Sequence, residues 1–326
     1  MEAVRIGGAP GAPAAPEVAV VIVTHNAAEH VAPCLRSVRA AARDTVLEVV
    51  VVDNASTDGA PEVVAREMPE ARLIRRPDNL GFARACNLAV RHARAPWILL
   101  LNPDAVLRPG ALAALLRFAR ARPDAGIVGG RALTPEGALD PHSCGMRPTP
   151  WSVVCRAAGL SALAPGSGLL NPEEIGGWAR DCERRVDFVV GCLFLVGRPL
   201  WDRLGGFDER YFLYGEEADF CLRAARLGLR PAITPSAEVV HAEGASSPGR
   251  EQQQVWLLTA RATLIRRHWR GATARRLGLA ALWAGAAARG AVAAPLVSAL
   301  APGRAARAAG WRGVWTRRAE WLPGYG

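Results

Sequence analysis

Three continuous apolar runs and one shorter run limit how this chain can fold. They are "VAVVIVTHN" (18–26), "VLEVVVVDN" (46–54), "ARLIRRPDN" (71–79) and "WILLLNPDA" (97–105). The long runs do not alternate polar with apolar, so their strands expect burial on both faces. Each run is followed by a helical pattern, over 29–42, 59–68, 81–94 and 110–122. Strands joined by crossover helices predict a doubly wound, mostly parallel α/β sheet.

In such a sheet, ligands bind beyond the carboxyl ends of the strands. Here those ends carry Thr24-His25-Asn26, Asp53-Asn54, Asp78-Asn79 and Asn102-Pro103-Asp104. Asn and Asp also cap helices, which gives any one of these positions a structural explanation. Four in succession along one sheet edge point instead to a polar ligand. The Gly-rich dinucleotide fingerprint is missing, because "GGAPGAP" (7–13) precedes the first strand and cannot cradle a pyrophosphate at a helix start. A bound nucleotide would have to be held by side chains and a metal.

The pattern loosens from 125 to 185 and returns over 186–244 with a strand, a short helix, a helix near 215–228 and two short strands. Three features there and upstream can carry chemistry. Asp104 ends a core run two residues after an amide, a position suited to Mg²⁺ or Mn²⁺ on a diphosphate. Glu216, Glu217 and Asp219 open a helical pattern after Tyr-Gly. They either stabilise the helix dipole or supply a general base. His241 closes the apolar stretch "AEVVH", where a neutral imidazole could complete a metal site.

The strings "VVIVTHN", "VVVDNASTDG", "DNLGFARACN", "LLLNPDA" and "GCLFLVGRPLWDRLGGFDERYFLYGEEADFCLRAARLG", with the late histidine, stand in one order along 17 to about 270. Together they resemble the inverting glycosyltransferases of family 2, with the GT-A fold, and especially the rhamnosyltransferase-like branch. The resemblance implies that Thr24, Asn26, Asp53 and Asn54 contact the base and ribose of a nucleotide sugar. It implies that Asn79, Gly81, Phe82 and Asn87 pack under its sugar and diphosphate. Asp104 looks like the last acid of the metal motif, shortened here to Asn102-Pro103-Asp104, and His241 like a second ligand to Mg²⁺ or Mn²⁺. Glu217 falls at the catalytic base, where the family more often has aspartate. Asp219 and Arg223, with Glu216, look like supporting positions, and Gly191 and Cys192 line the acceptor side. The implied reaction is transfer of a hexose to a hydroxyl of a cell-envelope or lipid-linked glycan. L-Rhamnose from a dTDP-linked donor is the expected sugar; the alternatives are a UDP-linked galactofuranose, galactose or N-acetylglucosamine donor, or a non-catalytic sugar-nucleotide-binding protein.

Charge separates the end of the chain from the rest. All 40 basic residues are arginine. From Arg250 onward 13 arginines face only Glu251 and Glu320, so that stretch holds +11 of a total of +10 and the remainder is near −1. An anionic partner surface follows. A nucleic acid is excluded as that partner because it leaves the strand-end acids unexplained. An anionic membrane is expected, with Trp283, Trp311, Trp315 and Trp321 at the interface and 277–300 lying on the lipid. Arg289 and Pro295 argue against a span. The expected organisation is a flexible leader (1–16), a catalytic domain (17–250) and a basic helical extension (251–326). Seven scattered cysteines without a CxxC pair fit a reducing cytoplasm, with the protein on the inner face of the plasma membrane.

Overall fold

The computed structural model describes residues 5–6, 15–43, 45–242, 249–293 and 305–326. Two compact units emerge, the first comprising Met1–Gly145, Ala179–Phe212 and Glu217–Ser246, the second Met146–Trp178, Leu213–Glu216 and Ser247–Gly326.

The first unit is built on one mixed sheet. Strand β1 (Val18–Thr24) is buried at every position and pairs in parallel with β2 (Leu47–Asn54), also buried throughout. β-Branched valines and isoleucine fit this two-sided packing. β3 (Arg72–Arg76) lies parallel on the outer side of β2, and β4 (Trp97–Leu100) parallel on the other side of β1. Helices α1 (Ala28–Ala41), α2 (Ala60–Glu67), α3 (Phe82–Arg91) and α4 (Ala111–Ala121) follow the four runs, as the alternation predicts.

The fourth run departs from expectation. It does not form one strand, because β4 stops at Leu100 and a separate strand β5 (Ala105–Leu107) starts after Asn102-Pro103-Asp104. Proline has no N–H to give a ladder, so the chain turns there and leaves Asp104 in the bend. The sheet continues through β6 (Ile127–Leu133), with β7 (Leu139–Asp140) on it, β8 (Phe194–Gly197) and β9 (Ala232–His241). The order is β2-β1-β4-β8-β6-β9, with β8 antiparallel to both neighbours and β9 parallel to β6. The two short strands expected near the end of this region are a single β9, with a register shift between Thr234 and Glu238.

The second unit is helical. It gathers α5 (Pro150–Ala157) and α6 (Leu160–Leu163) from the stretch whose pattern loosens in sequence. To these it adds α9 (Arg250–His268), α10 (Ala272–Ala287), a π-helical continuation (Ala288–Ala293), α11 (Ala305–Thr316) and α12 (Arg318–Trp321). Val153, Val255, Ile265, Leu282, Val314 and Trp321 share its core. Trp321 is therefore no interfacial residue: it is fully buried and its indole N–H donates to the Val314 carbonyl at 2.9 Å. Trp311 and Trp315 also pack against this core, and of the four tryptophans expected at a lipid interface Trp283 is the one left exposed. Among the described residues no helix is long and apolar enough to cross a membrane. The part of 277–300 beyond Ala293 lies outside the described residues.

Candidate active site

The helices α7 (Arg198–Leu204) and α8 (Glu216–Ala225) complete the elements that frame the site. At the ends of β1, β2 and β3 the polar residues bind one another. The Thr24 hydroxyl donates to Asp53 Oδ1 at 3.0 Å, and the Ser56 N–H donates to Asp53 Oδ2 at 3.2 Å. Asn26 adopts a left-handed φ of 52°, and its side-chain oxygen accepts the Thr57 N–H at 2.8 Å. Asn54 Nδ2 donates to Asn79 Oδ1 at 2.8 Å, and Asn79 Oδ1 also accepts the Gly81 N–H at 2.9 Å. Side-chain oxygens thus tie three turns together, through buried Asp53 and Asn54 and exposed Asn26 and Asn79.

Gly81 is required by close approach. Its φ is +79°, and a Cβ there would lie 2.4 Å from the Phe212 carbonyl oxygen that accepts the Phe82 N–H. Asn87, one turn further along α3, faces elsewhere. Its amide spans Phe207, donating to that carbonyl and accepting that N–H, both at 2.9 Å.

A second group forms where β5 pairs antiparallel with the end of β9, which sets His241 opposite Ala105 and next to Asp104. His241 Nε2 lies 3.4 Å from Asp104 Oδ1, and also 3.4 Å from Asn102 Nδ2. Its Nδ1 lies 3.2 Å from Asp140 Oδ2. Asp140, on β7, is buried, and its other oxygen accepts the His142 N–H at 2.8 Å. Burial alone would lower the imidazole, but its bonds to Asp104 and Asp140 outweigh this and raise it to about 9. Asp140 is held well below the usual carboxylate range. Burial opposes this, and the bonds from His142 and His241 overcome it.

These donors suit a divalent cation in a specific way. Among the described residues no three His, Cys, Asp or Glu side chains converge on one point. The geometry explains this, since Asp104 and Asp140 bond opposite nitrogens of one ring. Asp104 Oδ1 and His241 Nε2 are spaced close to the roughly 3 Å that separates neighbouring ligands around an octahedral Mg²⁺ or Mn²⁺. A cation bound there would displace the Nε2 proton that Asp104 now holds, with Asp140 keeping the proton on Nδ1. Two protein ligands leave positions for phosphate oxygens and water, and Asn102 supplies no charge.

The third group surrounds Glu217, in the first turn of α8. It is half-buried, and its Oε1 accepts the Gly191 N–H at 3.1 Å. The Phe82 ring packs on the same glycine. Cys192 beside it is fully buried, and its thiol is raised well above its usual value by burial first, then by Asp140, Asp104 and Glu217. Asp219 and Arg223 hold the scaffold instead. Fully buried Asp219 pairs with Arg223 at 2.7 Å, and Arg223 reaches the carbonyls of Leu204 and Gly206 at 2.7 and 2.8 Å. Glu216 is fully buried and belongs to the second unit.

Asp140 escapes sequence reasoning, since "ALDPHS" sits in an irregular stretch and reads as a turn. The only signal is a carboxylate before proline at the end of a short apolar step.

The fold defines the class first. Over 95% of its length the chain is similar to the mannosyltransferase PcManGT from Pyrobaculum calidifontis, solved with GDP-Man and Mn²⁺. The TM-score is 0.55 at 24% identity over 89% of that chain, which is the GT-A fold of nucleotide-diphospho-sugar transferases. In sequence, residues 19–147 match Glycosyl transferase family 2. The N-acetylglucosaminyl-diphospho-decaprenol L-rhamnosyltransferase of Mycobacterium tuberculosis is 33% identical over 251 residues, 71% of this chain and 78% of that protein. The rhamnosyltransferase WbbL of Escherichia coli K12 is 27% identical over 169 residues, 49% of this chain and 60% of WbbL. The chain belongs to family 2 of the glycosyltransferases and is a glycosyltransferase of the rhamnosyltransferase-like kind.

Proposed function

We propose that the enzyme transfers L-rhamnose from dTDP-L-rhamnose to a hydroxyl of a lipid-linked glycan by a single inverting displacement. The observation that carries this is Glu217, a half-buried carboxylate whose Oε1 accepts the Gly191 N–H at 3.1 Å, in the same unit as the Asp104–His241 pair. The named activity of the mycobacterial relative supports the sugar and the diphosphate-lipid acceptor.

In this reading Thr24, Asn26, Asp53, Asn54 and Asn79 hold the nucleoside on the turns they form, and Gly81 and Phe82 pack beneath the sugar. Asp104 and His241 would hold Mg²⁺ or Mn²⁺, which when bound supplies Lewis-acid neutralisation of the diphosphate. Glu217 takes the proton of the acceptor hydroxyl as its oxygen bonds to the anomeric carbon. The bond from that carbon to the diphosphate breaks with its electron pair on the leaving nucleoside diphosphate, and the configuration inverts. The Gly191 N–H keeps Glu217 Oε1 fixed throughout, so the proton moves to a preplaced base. The enzyme works at the cytoplasmic face of the plasma membrane, where its acceptor is embedded.

The test is a donor screen with purified enzyme, Mn²⁺ or Mg²⁺ and a lipid-diphosphate N-acetylglucosamine acceptor, following nucleoside diphosphate release. Turnover with dTDP-rhamnose and not with UDP-sugars is expected. Turnover only with a UDP-sugar overturns the donor assignment, and full activity in Glu217→Gln overturns the base.

A further inference from the structure

Helix α10 and its π-helical continuation have an outer side that water does not explain. From Leu277 to Ala293 every exposed residue is apolar: Leu277, Trp283 and Val292 stand out among alanines. Arg289 is the one charge in that stretch, and it is turned inward. Its guanidinium donates to the Gly285 carbonyl at 2.9 Å and stacks 5.1 Å from the Trp311 ring centre. Leu282, Gly285 and Ala286 occupy the inward side. From Leu277 onward the exposed side of the helix is therefore apolar, although only its other side meets the core, and an ordinary surface helix carries charge on its outer side.

Neighbouring α5 repeats the pattern. Its Ala157 lies against Gly285, and its Val153 enters the same core as Leu282. Outside, Trp151 and Val154 are nearly half exposed, and the Trp151 indole donates to the Leu169 carbonyl at 2.8 Å, pairing it with an exposed leucine. Leu163 on α6 is 82% exposed. Soluble proteins rarely leave large apolar side chains grouped on one surface without a use for them.

We infer that the outer sides of α10, its π-helical continuation and the α5–α6 segment form a face that lies in an anionic lipid bilayer. The charge on the same stretch of chain selects this occupant. Exposed Arg270 and Arg276 precede the apolar strip, and exposed Arg312 and Arg318 follow it, within a segment of 13 arginines and two glutamates. Apolar groups at the acyl boundary with arginines reaching the headgroups is the arrangement of an interfacial helix. A second copy of the chain would bring like charge onto like charge across the same face.

This inference deepens the lipid-linked acceptor reading by naming the surface that brings the site to the acceptor. Its first test, vesicle binding, needs no sugar donor. Full-length protein is sedimented with phosphatidylcholine vesicles and with mixed phosphatidylcholine/phosphatidylglycerol vesicles. Binding is expected to the anionic vesicles and to weaken with salt. The double variant Leu277→Gln/Val292→Gln should bind about tenfold more weakly, and Arg270→Gln/Arg276→Gln should fall by a similar factor. All four positions lie outside the active site, so turnover of a water-soluble acceptor should stay at the wild-type rate while turnover of a vesicle-embedded acceptor falls. Unchanged vesicle binding in the Leu277/Val292 variant overturns the inference, as does equal binding to neutral vesicles. So does a wild-type dimer that the variant turns into a monomer with vesicle binding unaltered, which would give the face to a second copy. Failure of dTDP-rhamnose as donor with vesicle binding intact removes the donor assignment and leaves the face standing.

Discussion

The two units handle polarity in opposite ways. The first gathers polar side chains at one sheet edge and bonds them to one another, and among the described residues Leu227 is its one large apolar side chain left exposed. The second buries one ion cluster and exposes large apolar side chains beside its surface arginines. Glu173, 7% exposed, sits between Arg261 at 2.6 Å and Arg156 at 3.5 Å, with the Ser152 hydroxyl donating at 2.7 Å. The other seven exposed large apolar side chains, from Trp151 to Val292, all belong to this unit. In the proposed reading the polar sheet edge receives the charged donor and the apolar side of the helical unit meets the bilayer, while the buried ion cluster ties the stability of that unit to ions that water no longer solvates. Damage to one unit should then leave the other intact.

The largest effect should come from Glu217→Gln. Losing a general base costs on the order of 10²- to 10⁴-fold in kcat. Donor affinity measured by calorimetry should be retained, because the strand-end turns do not involve Glu217. Vesicle binding should also be retained. A variant that loses kcat and vesicle binding together would break the separation of the two units.

The second unit should fail through Glu173. Removing one partner of a buried ion cluster costs about 3–5 kcal/mol, so Glu173→Gln should lower the thermal midpoint of the helical unit. Acid should act at the same place. Burial opposes ionisation of Glu173, yet Arg261 and Arg156 bring it from the ordinary 4.5 down to about 2. A folded value below the unfolded one means that the stabilisation is complete above the ordinary value and is lost as pH falls through the interval towards about 2. Circular dichroism between those limits should show loss of helix in the wild type, and a smaller pH dependence in Glu173→Gln.

The first unit was far more legible in sequence than the second, and the reason is physical. Runs such as Val18–Thr24 and Leu47–Asn54 announce two-sided burial by their lack of alternation, and the polar residues at their ends mark the ligand edge. Asp104 and His241 could be named because each closes an apolar stretch. What brings them together, the pairing of β5 with β9, depends on contacts distant in sequence and leaves no local periodicity. The break at Asn102-Pro103-Asp104 was hidden by the apolar run before it. Asp140 was hidden because a carboxylate in an irregular stretch has no period to betray it. In the second unit tryptophans had to be sorted between core and surface, and composition cannot do that: Trp321 is buried and Trp283 exposed although both lie among alanine, leucine and arginine.

Asp140 offers an intermediate test within the first unit. Replacing a carboxylate that orients a metal-ligating histidine typically costs 10- to 100-fold in metal affinity. Asp140→Asn keeps the shape and removes the charge that fixes His241 Nδ1. Mn²⁺ affinity read by paramagnetic resonance in the presence of nucleoside diphosphate should weaken by about that factor. Imidazole nitrogen shifts should report a change in which ring nitrogen carries the proton. Weakened activity with Mn²⁺ affinity unchanged would assign Asp140 to the fold of the His142 turn alone.

The smallest and most local effect is expected at Gly191. A Cβ there would meet Glu217 Oε1 at 3.0 Å and the Phe82 ring at 3.1 and 3.3 Å. These contacts are tight but not impossible, and the Glu217 side chain is the neighbour free to yield. Displacing it by a few tenths of an ångström lengthens its bond from the Gly191 N–H and moves the base off its line to the acceptor hydroxyl. About 1 kcal/mol of lost positioning corresponds to roughly a fivefold fall in rate. Gly191→Ala should therefore lower kcat several-fold while the KM for donor and the vesicle binding of the helical unit stay put. A change confined to donor KM would place Gly191 at the nucleotide instead of beside the base.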